Sequence, residues 1–176
     1  MANREALREL QTRLASRLQA ARTEGVTASW LAVIAGENNY LFPLVQSGEI
    51  FPLTNVQVVP YTHPWFMGVI NLRGGLYGVV DLASFMGDRS FRARTEQSLA
   101  ESSVITFNTA LEINCALMVD GLAGLRKREA FSDAGAPPEG SPICFGNRFT
   151  DHEGVFWQEI NLRSLSQLPE FLSISA

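Results

Sequence analysis

The sequence predicts a mainly β protein built from two related small β units, with an amphipathic helix ahead of them. Three observations carry this expectation. Gly74-Gly75 stand between two short runs rich in β-branched and apolar residues, 66–72 and 76–81, the pattern of a tight hairpin. The same order of runs, turns and caps then returns, with Asn161 standing 80 positions after Asp81; each unit alone is too small to bury a good core. Finally, residues 3–24 contain no Gly or Pro and carry Leu7, Leu10, Leu14 and Leu18 at helical spacing.

In the N-terminal segment (residues 1–25), Arg4, Arg8, Arg13, Arg17 and Arg22 mix with Glu5, Glu9 and Glu24 around the leucines, and Gly25 is a natural stop. The stripe packs on the chain's own domain or docks on a partner or a second copy. Glutamates among the arginines, without Trp or Phe opposite, disfavour a membrane surface. The break in the heptad at Arg17 disfavours a long coiled coil.

From Trp30 the pattern is β. Residues 30–35, a turn at 36–39 and a strand over 40–45 form a first hairpin, in which Pro43 implies an edge or a bulge. Residues 50–59 supply a further strand, interrupted by Pro52 and ended by Pro60, and 61–65 form a loop. After the 66–81 hairpin, Asp81 caps a short helix through Met86 that Gly87 closes. As a cap alone, Asp81→Ala would cost about 1 kcal/mol. The polar stretch 88–101, with Arg89, Arg92 and Arg94, reads as a connector. Residues 103–107, a turn at Asn108-Thr109 and 111–119 repeat the first hairpin. The stretch 126–141, from Arg-Lys-Arg to a Pro- and Gly-rich end, reads as a loop. Residues 147–149, a turn at 151–154 and 155–160 repeat the second hairpin, and Asn161 caps 162–168. Trp30, Trp65 and Trp157 read as core or inter-unit packing.

The 176 residues, 46% hydrophobic and 18% charged, suffice for one ordinary domain or two small ones. A net charge of −4 disfavours a nucleic-acid or anionic-membrane binder. Cys115 and Cys144 suit a reducing compartment, Cys115 as a small buried hydrophobe. With no secretory signal and no apolar run of membrane-spanning length, a soluble cytoplasmic protein is expected.

Catalytic chemistry has little support. Asp151-His152-Glu153 place three side chains in different directions on one turn, with no Cys or His at ligand spacing, so no metal is expected. Cys144 has no nearby histidine to activate it. The glycines around Arg73 match neither nucleotide fingerprint. No cofactor is expected and a small metal-dependent hydrolase is a weak alternative. A binding module remains, with Arg73 at the hairpin tip, either as a solvated turn residue or as five fixed donors offered to another molecule.

Gly68-Val69-Ile70-Asn71-Leu72-Arg73-Gly74 resembles the signature of the CheW-like domain, the adaptor of bacterial chemosensory arrays. Tyr40 to Ile50, Val80-Asp81-Leu82 and Leu117-Met118-Val119-Asp120-Gly121 agree with that family in order, and the resemblance covers residues 29 to 170. It implies two packed five-stranded SH3-like β-barrels in a single domain over 26–176. The subdomains would fall at approximately 26–90 and 102–176, with strands open to exchange between them. It also implies a non-enzymatic adaptor that couples a methyl-accepting chemoreceptor tip to the regulatory domain of a CheA-type histidine kinase. Such an adaptor meets the membrane only through the receptor. The subclass it resembles serves type IV pilus twitching motility. Carried over position by position, Arg73 organises or braces the partner-binding surface, and Asn71, Leu72 and Gly74 shape its hairpin. Glu49 and Ile50 border the receptor-facing groove, and Val119 and Asp120 lie on the matching strand of the second barrel. Core packing is the rival role for Leu72 and Val119, and a turn or cap for Asp120. The alternative function is an interaction scaffold outside chemosensing.

Overall fold

The computed structural model describes residues 2–23, 29–88 and 94–176. Gly25, Arg89 and Arg92, to which the sequence assigns a stop and a basic connector, lie outside the described residues, as do the side chains of residues 19–23. Helix α1 spans Ala2–Thr23. The strands are β1 Trp30–Ala35, β2 Asn38–Pro43, β3 Ser47–Pro52, β4 Phe66–Leu72 and β5 Gly75–Asp81, followed by β6 Ser103–Phe107, β7 Cys115–Val119, β8 Gly121–Arg126, β9 Phe131–Gly135, β10 Phe145–Asp151 and β11 Phe156–Ile160. Short helices α2 Leu82–Phe85, α3 Glu96–Glu101, α4 Leu162–Gln167 and α5 Pro169–Leu172 complete the chain.

The strands form two sheets, ordered β3-β6-β7-β5-β4 and β8-β1-β2-β11-β10-β9. The internal repeat explains the match between them. Replacing β3, β6, β7, β5 and β4 by their counterparts gives β8, β1, β2, β11 and β10, with the same parallel pair, β5 on β7 and β11 on β2. Each sheet therefore mixes strands from both halves of the chain, because the β1–β2 and β6–β7 hairpins are exchanged. The first sheet has the expected five strands. The second has a sixth, β9, where the loop over 126–141 was expected; its sequence, Phe131-Ser-Asp-Ala-Gly135, hides its strand because only Phe131 is buried.

Side-chain alternation sorts three cores. Trp30, Ala32, Leu41, Phe131, Phe149 and Trp157 fill one barrel, and Ile70, Leu72, Val79, Val104, Ala116 and Met118 fill the other. The intervening residues, among them Leu31, Val33, Phe42, Val80, Ile105, Leu117 and Ile160, meet in a larger shared cluster that joins the barrels. Trp65 is half-buried and stacks on His63.

Two equivalent caps mark the ends of the repeats. Asp81 and Asn161 share nearly the same backbone, φ −75° with ψ 106° and 105°, and accept from the amides of Ser84 and Ser164. Asn161→Ala should lower stability by about 1 kcal/mol, read as a shift of the urea midpoint with an unchanged slope.

Three local expectations change. Pro43 ends the interior strand β2 rather than lying on an edge or a bulge. The strand expected over 50–59 is β3, which starts at Ser47 and ends at Pro52; further on, Gln57 forms an isolated bridge with Val69 on the outer side of β4. The polar connector contains α3, nucleated by a capping box between Thr95 and Ser98.

Candidate functional site

The β4–β5 hairpin closes with Leu72 opposite Gly75, leaving Arg73-Gly74 as a two-residue turn. Both have positive φ, +50° and +82°, the signs a type I′ turn requires. Asn, Asp or Gly normally occupies the first of these positions. A left-handed arginine costs on the order of 1 kcal/mol, so the hairpin accepts strain to hold a guanidinium at its tip. Asn71 secures the turn, its Oδ1 accepting from the Gly74 amide at 3.0 Å.

Arg73 reaches across to β3. Its Nη1 lies 3.0 Å from Glu49 Oε2, and its guanidinium lies 5.5 Å from the Phe51 ring centroid. The two ionic side chains are 74% and 42% exposed, and such a pair holds the fold by no more than about 1 kcal/mol. It is free to exchange partners at little cost. Glu49 is placed by a bulge in β3 between Ser47 and Ile50; its amide donates to Thr106 Oγ1 at 2.7 Å. A groove of about 530 Å³ runs beside the pair, with Arg8, Gln11 and Thr12 of α1 on one wall and Glu49, Ile50 and Arg73 on the other.

The expected residues thus divide. Arg73, Asn71, Gly74 and Glu49 form one exposed cluster. Ile50 is 6% exposed and Leu72 7%, while Val119 is fully buried. Leu72 packs in the core of its own barrel and Val119 in the shared core. For these two the structure gives the packing role. Asp120 is absent from the cluster as well. Located between β7 of one sheet and β8 of the other, it accepts from the Gly36 amide at 2.6 Å and from Arg94 Nη1.

Arg94 is the residue that sequence reasoning missed. Its side chain is 10% exposed; Nε and Nη2 grip both Asp81 oxygens at 2.8 and 2.7 Å, and Nη1 binds Asp120. Burial opposes its charge, but its hydrogen bonds to the Asp81 and Asp120 carboxylates, with their negative charges, outweigh burial and raise its pKa. The triad ties the connector to the end of β5 and to the crossing between sheets. Asp81 is therefore more than a helix cap, and its loss exceeds the cost expected of one. Nothing local in the sequence distinguishes Arg94 from the neighbouring arginines, because its partners lie 13 and 26 residues away.

Elsewhere, burial pushes the Cys115 thiol up to about 12 and the Cys144 thiol up to about 11, so both are neutral packing groups near pH 7. Asp151 accepts from the amides of Glu153 and Val155 and from the Trp157 indole; the indole bond, first among these contacts, holds its carboxyl below the usual range. Among the described residues, no three His, Cys, Asp or Glu side chains gather as a metal-binding set. No described helix is long and apolar enough to cross a membrane.

Comparison with known proteins adds to this geometry. A family model described as the CheW-like domain matches residues 29–141, which include the Arg73 hairpin, Glu49, Arg94 and Asp120. The scaffolding protein TtCheW from Thermoanaerobacter tengcongensis has a similar structure, with a TM-score of 0.62 at 17% identity over 82% of this chain and 96% of that one. No curated protein sequence matches.

Proposed function

The chain belongs to the CheW-like domain family, and from that premise we propose that it is a non-enzymatic coupling adaptor of a chemosensory array. It joins the cytoplasmic tip of a methyl-accepting chemoreceptor to the regulatory domain of a CheA-type histidine kinase. The observation that carries this reading is the exposed Arg73–Glu49 pair on a strained turn inside the matched residues. The scaffold description of the structural neighbour supports it.

An adaptor of this kind works through contact free energies that differ between receptor states. Arg73 exchanges Glu49 for carbonyls or a carboxylate of the partner, keeping charge-assisted hydrogen bonds throughout. The protein works in the cytoplasm, without nucleic acid or cofactor, and reaches the membrane through the receptor.

Arg73→Ala tests this. Alanine tolerates the left-handed turn no worse than arginine does, so stability should stay within about 0.5 kcal/mol. Binding to the receptor tip, the kinase domain or both, measured by calorimetry, should weaken by about tenfold, corresponding to loss of one charge-assisted hydrogen bond. Wild-type affinity for both partners, or an unfolded variant, contradicts the assignment.

We place the array in control of type IV pilus twitching, on the likeness of the chain, N-terminal segment included, to that subclass. Deleting the gene should abolish twitching zones on agar and spare swimming; normal twitching overturns this placement.

A further inference from the structure

The six-stranded sheet turns one face to the shared core, and at one end that face runs on past it. There Tyr40, Gln158 and Arg148 stand opposite one another across β2, β11 and β10, so their side chains share a face. Met86, just beyond α2, and Pro138 and Pro142, between β9 and β10, wall this floor. The result is a cavity of about 580 Å³, within the size range of small-ligand sites.

Two of its polar groups lack a protein partner. Tyr40 is 4% exposed, yet its hydroxyl makes no hydrogen bond among the described residues. The hydroxyl is not sealed in, because Tyr40 lines the cavity. Burial, with Asp88 nearby, pushes this phenol up to about 12, so near pH 7 it is neutral and can both donate and accept. A buried polar group left unpaired is costly, and the cavity is where a partner can reach it.

Arg148 is the second group. It is half-buried, with no carboxylate at ion-pair distance among the described residues. Its guanidinium carbon lies 3.7 Å from the Phe156 ring centroid. Stacking covers one face of the guanidinium and fixes its plane, which leaves the N–H edge for an acceptor. A planar carboxylate matches that edge best. Glu37 lines the cavity from the far side of the floor, two strands from Arg148, so negative charge is favoured only at the arginine end. Between them Phe145 meets Tyr40 edge to face at 6.4 Å. With Met86 it offers an apolar wall suited to a flat ring.

We propose that this cavity binds a small aromatic carboxylic acid. The carboxylate pairs with Arg148, the ring lies against Phe145 and Met86, and a polar substituent bonds to the Tyr40 hydroxyl. The Arg73–Glu49 cluster belongs to the other sheet, so the cavity stands apart from the coupling reading.

The test uses the full chain and two probes, N-acetylphenylalanine and its uncharged amide, followed by calorimetry. The acid should bind saturably at one site, at least tenfold tighter than the amide. Arg148→Gln should erase that preference, lowering the acid to the amide's affinity and leaving the amide unchanged. Tyr40→Phe should weaken both probes alike, about fivefold, with a melting temperature no lower than wild type, because the hydroxyl holds nothing in the free protein. Arg73→Ala should bind both probes as wild type does. Binding of neither probe, equal affinity for the two, or an acid preference that survives Arg148→Gln overturns the proposal.

Discussion

Arg94→Ala should lower the free energy of unfolding by about 3–5 kcal/mol. Removing one member of a buried ion pair leaves the other charge uncompensated, which costs that much in other proteins. Here two carboxylates are stranded, with Asp81 only 5% exposed and Asp120 29% exposed. Asp81→Ala should approach the same loss, because it removes both a helix cap and the bidentate partner of Arg94. Asp120→Asn should cost less, since its side chain is the more exposed and the one amide oxygen still accepts from either Gly36 or Arg94, which bond to different oxygens of the carboxylate. Guanidinium denaturation followed by tryptophan fluorescence measures all three, and equal small losses contradict a buried clamp.

Gly68→Ala should be comparably damaging, by about 3 kcal/mol or more. Gly68 has φ +136°, a conformation that L residues rarely adopt. A Cβ there would also lie 2.1 Å from the Gln57 carbonyl oxygen. That carbonyl is backbone, fixed by reciprocal 2.8 and 2.9 Å hydrogen bonds between Gln57 and Val69, so the clash cannot be relieved by a rotamer change. Misplacing Gln57 uncovers the outer edge of β4. The variant should lose thermal stability and gain aggregation together, and a melting temperature within a few degrees of wild type contradicts the account.

The same hairpin shows what was legible in the sequence. The paired Gly74-Gly75 between two apolar runs marked the hairpin, but the two-residue turn falls one position earlier, on Arg73-Gly74, and Gly75 opens β5. The caps were legible because Asp81 and Asn161 act on amides three residues away. The repeat of hairpins and caps was legible, but β8, the counterpart of β3, was not, and the sheet orders were not predicted.

What local rules do not encode was missed. Strand β9 carries one buried residue, so it lacks the alternation that marks a strand. The leucine stripe pointed to the correct helix, but Leu10 faces outward and Gln11 faces in, a choice made by Ser103 across a tertiary contact. Glu49 on β3 and Arg73 at the β4–β5 turn are 24 residues apart and meet across unpaired outer strands of one sheet, whereas Arg94 meets its acids from a mostly polar connector.

Coupling of receptor to kinase, as proposed, would be visible in the kinase's own activity. The most direct measurement is the autophosphorylation rate of a CheA-type kinase on membranes carrying the receptor, as this protein is titrated in. Receptor ligand should change the rate only when the protein is present, with Arg73→Ala requiring a higher concentration to reach the same response. A kinase whose rate and ligand response are the same with and without the protein would contradict the account.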